Sequence, residues 1–223
     1  MRSIHCFYRR SLFAAVAAAA MAAAMAPAAR ATSDGGVDVQ RYLVYVPSRS
    51  AAVDQTANIR AFEDNGFTVV TLAYAGEDAL THARRVRDEV RALIASGVAP
   101  GAITVVGAGT GSPVAALASA TTGNRHVNYA LLGNCDDRLA EMPGFHMSGR
   151  VLGLRDADDH ASQSCRRLWR DAPRLGERRD MVLHTGHGAA LFDAPRTQWL
   201  QPLSDWSRNG RVAVGEVKVA SAK

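Results

Sequence analysis

From residue 41 onward, unbroken apolar runs alternate with stretches that carry apolar residues at helical spacing. Tyr42-Leu43-Val44-Tyr45-Val46 is a continuous apolar run, the pattern of a strand buried on both faces. Residues 52–65 read as a helix that stops at the breaker Asn65-Gly66. A second strand is predicted over 67–72. A long amphipathic helix is predicted over 78–96, because Val86, Val90, Leu93 and Ile94 share one face and Gly97 ends the stripe. The third strand, Ile103-Thr104-Val105-Val106, runs directly into Gly107-Ala108-Gly109-Thr110-Gly111, and small and apolar residues continue as a helix over 112–122. Strands are expected over 127–132, 151–154 and 181–184, and helices over 162–171 and 195–208. Trp199 and Trp206 fall on one face of the last helix, as a buried pair would.

Strands and helices alternating in this way predict an α/β fold: a mostly parallel sheet of about six strands with helices on both faces. Only 134–149 is long enough for an excursion, so the cap is minimal or absent. The domain is expected to occupy 41–210, after a flexible lead-in over 32–40 and before a tail, 211–223, with alternating valines and no assigned partner.

The first 31 residues read as an export signal. Arg2, Arg9 and Arg10 make a positive start, residues 12–26 are apolar and mostly alanine, and Ala29-Arg30-Ala31 supplies a small-x-small cleavage site. Pro27 interrupts the apolar run, which is short of the ~20 residues a membrane span needs. The expectation is therefore a periplasmic or secreted protein with no stable membrane anchor. Arg9-Arg10-Ser11-Leu12-Phe13 also fits a twin-arginine signal loosely, which leaves the Sec and twin-arginine routes both open. Cleavage would remove Arg2, Arg9, Arg10 and Arg30 and no acid, taking the formal net charge from +5 to +1. No basic run interleaved with aromatics remains, so a nucleic-acid partner is not expected. Cys6 would leave with the signal. Cys135 and Cys165, alone in an oxidising compartment, suggest one disulfide, with two buried thiols as the alternative. Neither cysteine has zinc-ligand spacing, and His184-x-x-His187 at a strand end does not face one site; no metal is expected.

In open parallel sheets chemistry collects at the carboxyl ends of strands. Here Gly109 follows the third strand, an acidic cluster (Asp156, Asp158, Asp159) follows the fifth, and His187 follows the sixth. Turn, acid, histidine is the chain order of the α/β hydrolases. The chain resembles an exported bacterial branch of that superfamily, whose elbow reads V-V-G-A-S-K-G after a G-V-x-P-x-x-I-T turn. Val105-Val106-Gly107-Ala108-Gly109-Thr110-Gly111 follows Gly97-Val98-Ala99-Pro100-Gly101-Ala102-Ile103-Thr104 here. Further points of similarity are Leu131-Leu132-Gly133-Asn134-Cys135, Val151-Leu152-Gly153-Leu154, Ser164-Cys165 and Gly186-His187-Gly188.

The resemblance implies that His187 is the general base and that Asp159, six residues before Cys165, orients it; Asp158 and Asp156 remain candidates for the acid. It also implies that the Thr110 N–H contributes to an oxyanion hole. Serine belongs at the apex of the elbow, but this chain has Gly109, which offers no atom to attack a carbonyl. Where the family begins its oxyanion loop with a His-Gly pair, this chain has Pro47-Ser48-Arg49-Ser50. The expected function is thus a non-catalytic or impaired hydrolase-fold protein that binds a small ligand and needs no cofactor. The alternative is an active ester or acyl hydrolase, taking an ester-like substrate, with the nucleophile displaced to Ser112, Thr110 or Ser48. A further alternative, a dinucleotide-binding protein, rests on Gly107-x-Gly109-x-x-Ser112. It lacks the third glycine and the acid that would bind a ribose.

Overall fold

The structure is a computed structural model, and it describes residues 39–209. The expected signal, most of the lead-in and the tail lie outside the described residues.

Six strands form one parallel sheet: β1 (Arg41–Val46), β2 (Phe67–Thr71), β3 (Ile103–Ala108), β4 (Asn128–Leu132), β5 (Ser148–Asp156) and β6 (Arg174–Leu183). Their order is β2-β1-β3-β4-β5-β6, every neighbouring pair being parallel. The interior strands explain the apolar runs. Every residue of β3 and β4 is buried, because helices cover both faces of the sheet. α2 (Ala79–Ala95) and α3 (Ser112–Thr122) pack on one face through Val86, Val90 and Val114. α1 (Gln55–Asp64) and α5 (Thr197–Asn209) cover the other through Phe62, Trp199, Leu203 and Trp206. Both tryptophans are buried, as their spacing on α5 implied. Local chemistry sets the helix starts: Asp54 accepts from the Ala57 N–H and Asp78 from the Leu80 and Thr81 N–H groups.

Two elements differ from the sequence expectation. β6 begins at Arg174, although only 181–184 read as strand. It is an edge strand, half exposed along its length, and its Arg174, Glu177, Arg178 and Arg179 break the apolar signal that marks interior strands. The helix expected over 162–171 is reduced to α4, Arg166–Trp169. Its first residues are instead held in a loop, where the Ser164 hydroxyl donates to Asp180 (2.5 Å) and Cys165 is disulfide-bonded to Cys135.

Candidate functional site

β3 ends at Ala108. Gly109–Gly111 makes one 3-10 turn, and α3 starts at Ser112. Two glycines of this stretch are fixed by packing: a β-carbon on Gly107 would lie 2.5 Å from the Gly111 carbonyl oxygen, and one on Gly111 would collide with the Val46 carbonyl. They let α3 sit directly against β3 and β1. Gly109 is different. Its φ of +52° is a conformation L side chains rarely adopt, and a β-carbon there would lie 2.9 Å from the Ser48 hydroxyl oxygen. The apex therefore has no side chain of its own, and Ser48, from the loop after β1, stands beside the vacant position.

Gly109 opens onto a cleft of about 720 Å³ built by the loops that follow β1 to β5 and by the 3-10 turn Gly188–Phe192. It lies along the carboxyl edge of the sheet, as the topology requires. At its apex, hydrogen bonds join the loop after β1 to the turn after β3. The Arg49 N–H, in the loop after β1, donates to the Thr110 hydroxyl (2.8 Å). The Ser50 N–H donates to the Ser48 hydroxyl (3.3 Å), and the two hydroxyl oxygens are 3.5 Å apart. At the cleft mouth the Arg49 guanidinium stacks 4.8 Å above the Tyr74 ring.

Ser112 is placed elsewhere. It is fully buried, absent from the cleft wall, and its hydroxyl lies 2.9 Å from the Gly107 carbonyl and 2.8 Å from that of Leu132. It ties α3 to β3 and β4.

The three candidate acids separate by environment. Asp159 lines the cleft, and one of its oxygens accepts from the Ala161 N–H (3.2 Å). Asp158 is exposed. Asp156 is fully buried at the end of β5. Burial alone would raise its pKa. The Thr185 hydroxyl and the N–H groups of Asp158, Thr185 and Gly188 outweigh that and hold the carboxyl below its ordinary value. Asp156 thus fastens the turn after β5 to the turn that carries His187. The two turns touch, since a β-carbon on Gly188 would lie 3.3 Å from the Asp158 carbonyl oxygen. His187 itself is exposed, its ring has no hydrogen-bond partner among the described residues, and it does not line the cleft, whereas Ala189 and Ala190 do. His184 is exposed as well.

Cys135, in the loop after β4, is disulfide-bonded to Cys165. The bond pins the far end of the loop that bears Asp159, and it packs on β5 at Gly153, where a β-carbon would lie 2.5 Å from the Cys165 sulfur. The sequence reading missed Glu77, His82, Asp136, Arg138 and Asp193 in the cleft wall. Buried His82 of α2 donates from Nε2 to the Leu72 carbonyl (2.8 Å) and faces Glu77 at 3.7 Å; Glu77 also pairs with Arg85. Its helical spacing with Val86 and Val90 was the available signal, but a histidine did not register as part of an apolar stripe.

No protein-family model matches the chain, and no curated protein matches it in sequence. Solved structures do. Arabidopsis thaliana SOBER1 is 11% identical, with 76% of this chain and 98% of that chain covered, at a TM-score of 0.54. A single-residue variant of SOBER1 gives 12% identity, the same coverages and a TM-score of 0.50. A CIB-like hydrolase from Thermoplasma acidophilum is 14% identical, with 78% and 88% covered, at a TM-score of 0.48. At such identities the likeness concerns the fold. With the six-stranded parallel sheet and its flanking helices, it assigns the chain the α/β-hydrolase fold.

Proposed function

We propose that this chain is a non-catalytic α/β-hydrolase-fold protein that binds a small molecule in the cleft at the carboxyl edge of its sheet. One observation carries the reading. The apex of the turn after β3 is a side-chain-free Gly109 at φ +52°, so the position where the fold presents a nucleophile presents none. Two neighbouring features support it. The Arg49 N–H is engaged by the Thr110 hydroxyl, and the His187 ring is exposed with no carboxylate bonded to it among the described residues. A hydrolase needs a nucleophile, a base and oxyanion donors to act together, and each departs here from its working form. The apolar, arginine-led N-terminus and the Cys135–Cys165 disulfide favour an exported protein.

The reading is tested with p-nitrophenyl esters of short and medium acyl length. The expected result is hydrolysis no faster than in buffer and no change on His187→Ala. Ester turnover that His187→Ala abolishes would overturn the proposal. Turnover lost on Thr110→Val or Ser48→Ala instead would favour the displaced-nucleophile alternative.

A further inference from the structure

β2 is an edge strand, and the outer side of its backbone is open among the described residues. The pairing register identifies the open groups. The Leu72 N–H donates to the Tyr45 carbonyl (2.8 Å), and Tyr45 is the register partner of Thr71. In a parallel ladder this turns the N–H and C=O groups of Thr68 and Val70 toward β1. Those of Phe67, Val69 and Thr71 point the other way, along the free edge. Val69 and Val70 are half-buried, so this edge carries an apolar side chain on each face of the sheet and no charge. The opposite edge differs. β6 exposes Arg174, Glu177 and Arg178 beside a register shift between Gly149 and Val151, and both features discourage pairing. An edge like that of β2 is a template for one more strand.

The chain itself arrives at this edge. α5 packs on β4 and β5, and its last turns are fastened beside the start of β2. The Arg208 guanidinium donates to the Asn65 carbonyl (2.9 Å), Ser204 Oγ lies 3.3 Å from Asn65 Oδ1, and Arg41 donates to the Ser207 carbonyl (3.0 Å). Asn65 stands two residues before β2. Beyond the described residues the sequence continues Arg211-Val212-Ala213-Val214, a run of period two that breaks at Gly215-Glu216. At about 3.3 Å per residue, 211–215 match the five residues of β2 in length. Topology favours the same place. The connection from β1 to β2 crosses the face that α1 covers, and α5 lies on that face too. A strand leaving α5 beside β2, and parallel to it, closes a crossover of the same hand as β1-α1-β2, as the handedness rule requires. We infer that residues 211–215 add a seventh parallel strand to the sheet, hydrogen-bonded to Phe67, Val69 and Thr71. That strand runs toward the carboxyl edge and delivers Glu216 to the loop after β2, whose Tyr74 and Glu77 line the cleft.

Amide hydrogen exchange of the full chain, read by NMR, tests this residue by residue. Val70 and Leu72, whose N–H groups point to β1, serve as the internal standard. The Val69 and Thr71 amides should exchange within about tenfold of that standard, since both sets would then lie in the sheet. The paired change Val212→Pro with Ala213→Pro removes two N–H donors from the run and alters none of the described residues. It should speed Val69 and Thr71 exchange by about tenfold or more, with a smaller change at Val70 and Leu72. Exchange of Val69 and Thr71 at unprotected rates in the parent chain would overturn the inference, as would protection that survives the proline pair. Protection that rises with protein concentration, together with a dimeric mass in sedimentation, would overturn it as well by assigning the strand to a second copy. The comparison within the parent chain stands even if the variant fails to fold.

Discussion

The Ser48 side chain occupies the space that a β-carbon at position 109 would need. Placing serine at the apex would therefore do more than add a hydroxyl. Gly109→Ser places a β-carbon in a left-handed conformation and against the Ser48 oxygen, at a cost of about 1–3 kcal/mol. Urea melts should show that loss, and Ser48→Gly in the same chain should recover the part due to the contact. A Gly109→Ser variant as stable as the parent would show that the space is not contested. Ser112 has a different role. Ser112→Ala strips the Gly107 and Leu132 carbonyls of a buried donor and should cost about 1–3 kcal/mol in the same melts. An unchanged melt would show that the two carbonyls do not depend on it.

At the scale of elements, Asp156 joins the turn after β5 to the turn after β6. Its native pKa lies below its unfolded value of about 3.9, so its contribution is complete above that pH and fades as pH falls through the lower native value. Asp156→Asn keeps the shape but sets an amide against N–H donors. It should destabilise the fold by about 3 kcal/mol at pH 7. The gap from wild type should close as melts are taken below about pH 4. A gap independent of pH would mean that charge is not what holds the turns. The elements were unequally legible in the sequence. β3 and β4 lie between two helical layers, so their residues are apolar throughout and stand out at once. β6 borders solvent along one edge, and its arginines concealed seven residues of strand, Arg174 to Asp180, ahead of the legible Met181. The expected helix before Trp169 was lost to a side-chain hydrogen bond and a disulfide, neither of which has a periodicity to read.

Over the whole molecule, the glycine apex and the Cys135–Cys165 pairing were legible and the other long-range relations were not. The glycine apex lies within a single turn and could be read from its neighbours. Its relation to Ser48 could not, because α1, β2, α2 and β3 intervene in the chain. The same holds for Asp156, whose partners Thr185 and Gly188 arrive only after β6. The Cys135–Cys165 bond links two of the loops that build the cleft. With a sequence separation of 30, closing that loop is worth about 3–4 kcal/mol through the entropy of the unfolded chain. The paired change Cys135→Ala with Cys165→Ala should lower unfolding stability by that amount; an unchanged melt would mean that the native contacts already hold the loop. An α/β-hydrolase fold around an apex without a side chain should form no covalent adduct at that apex. Intact-mass measurement after incubation with excess fluorophosphonate tests it most directly. An unmodified mass is expected. One adduct per chain, abolished by His187→Ala, would contradict it.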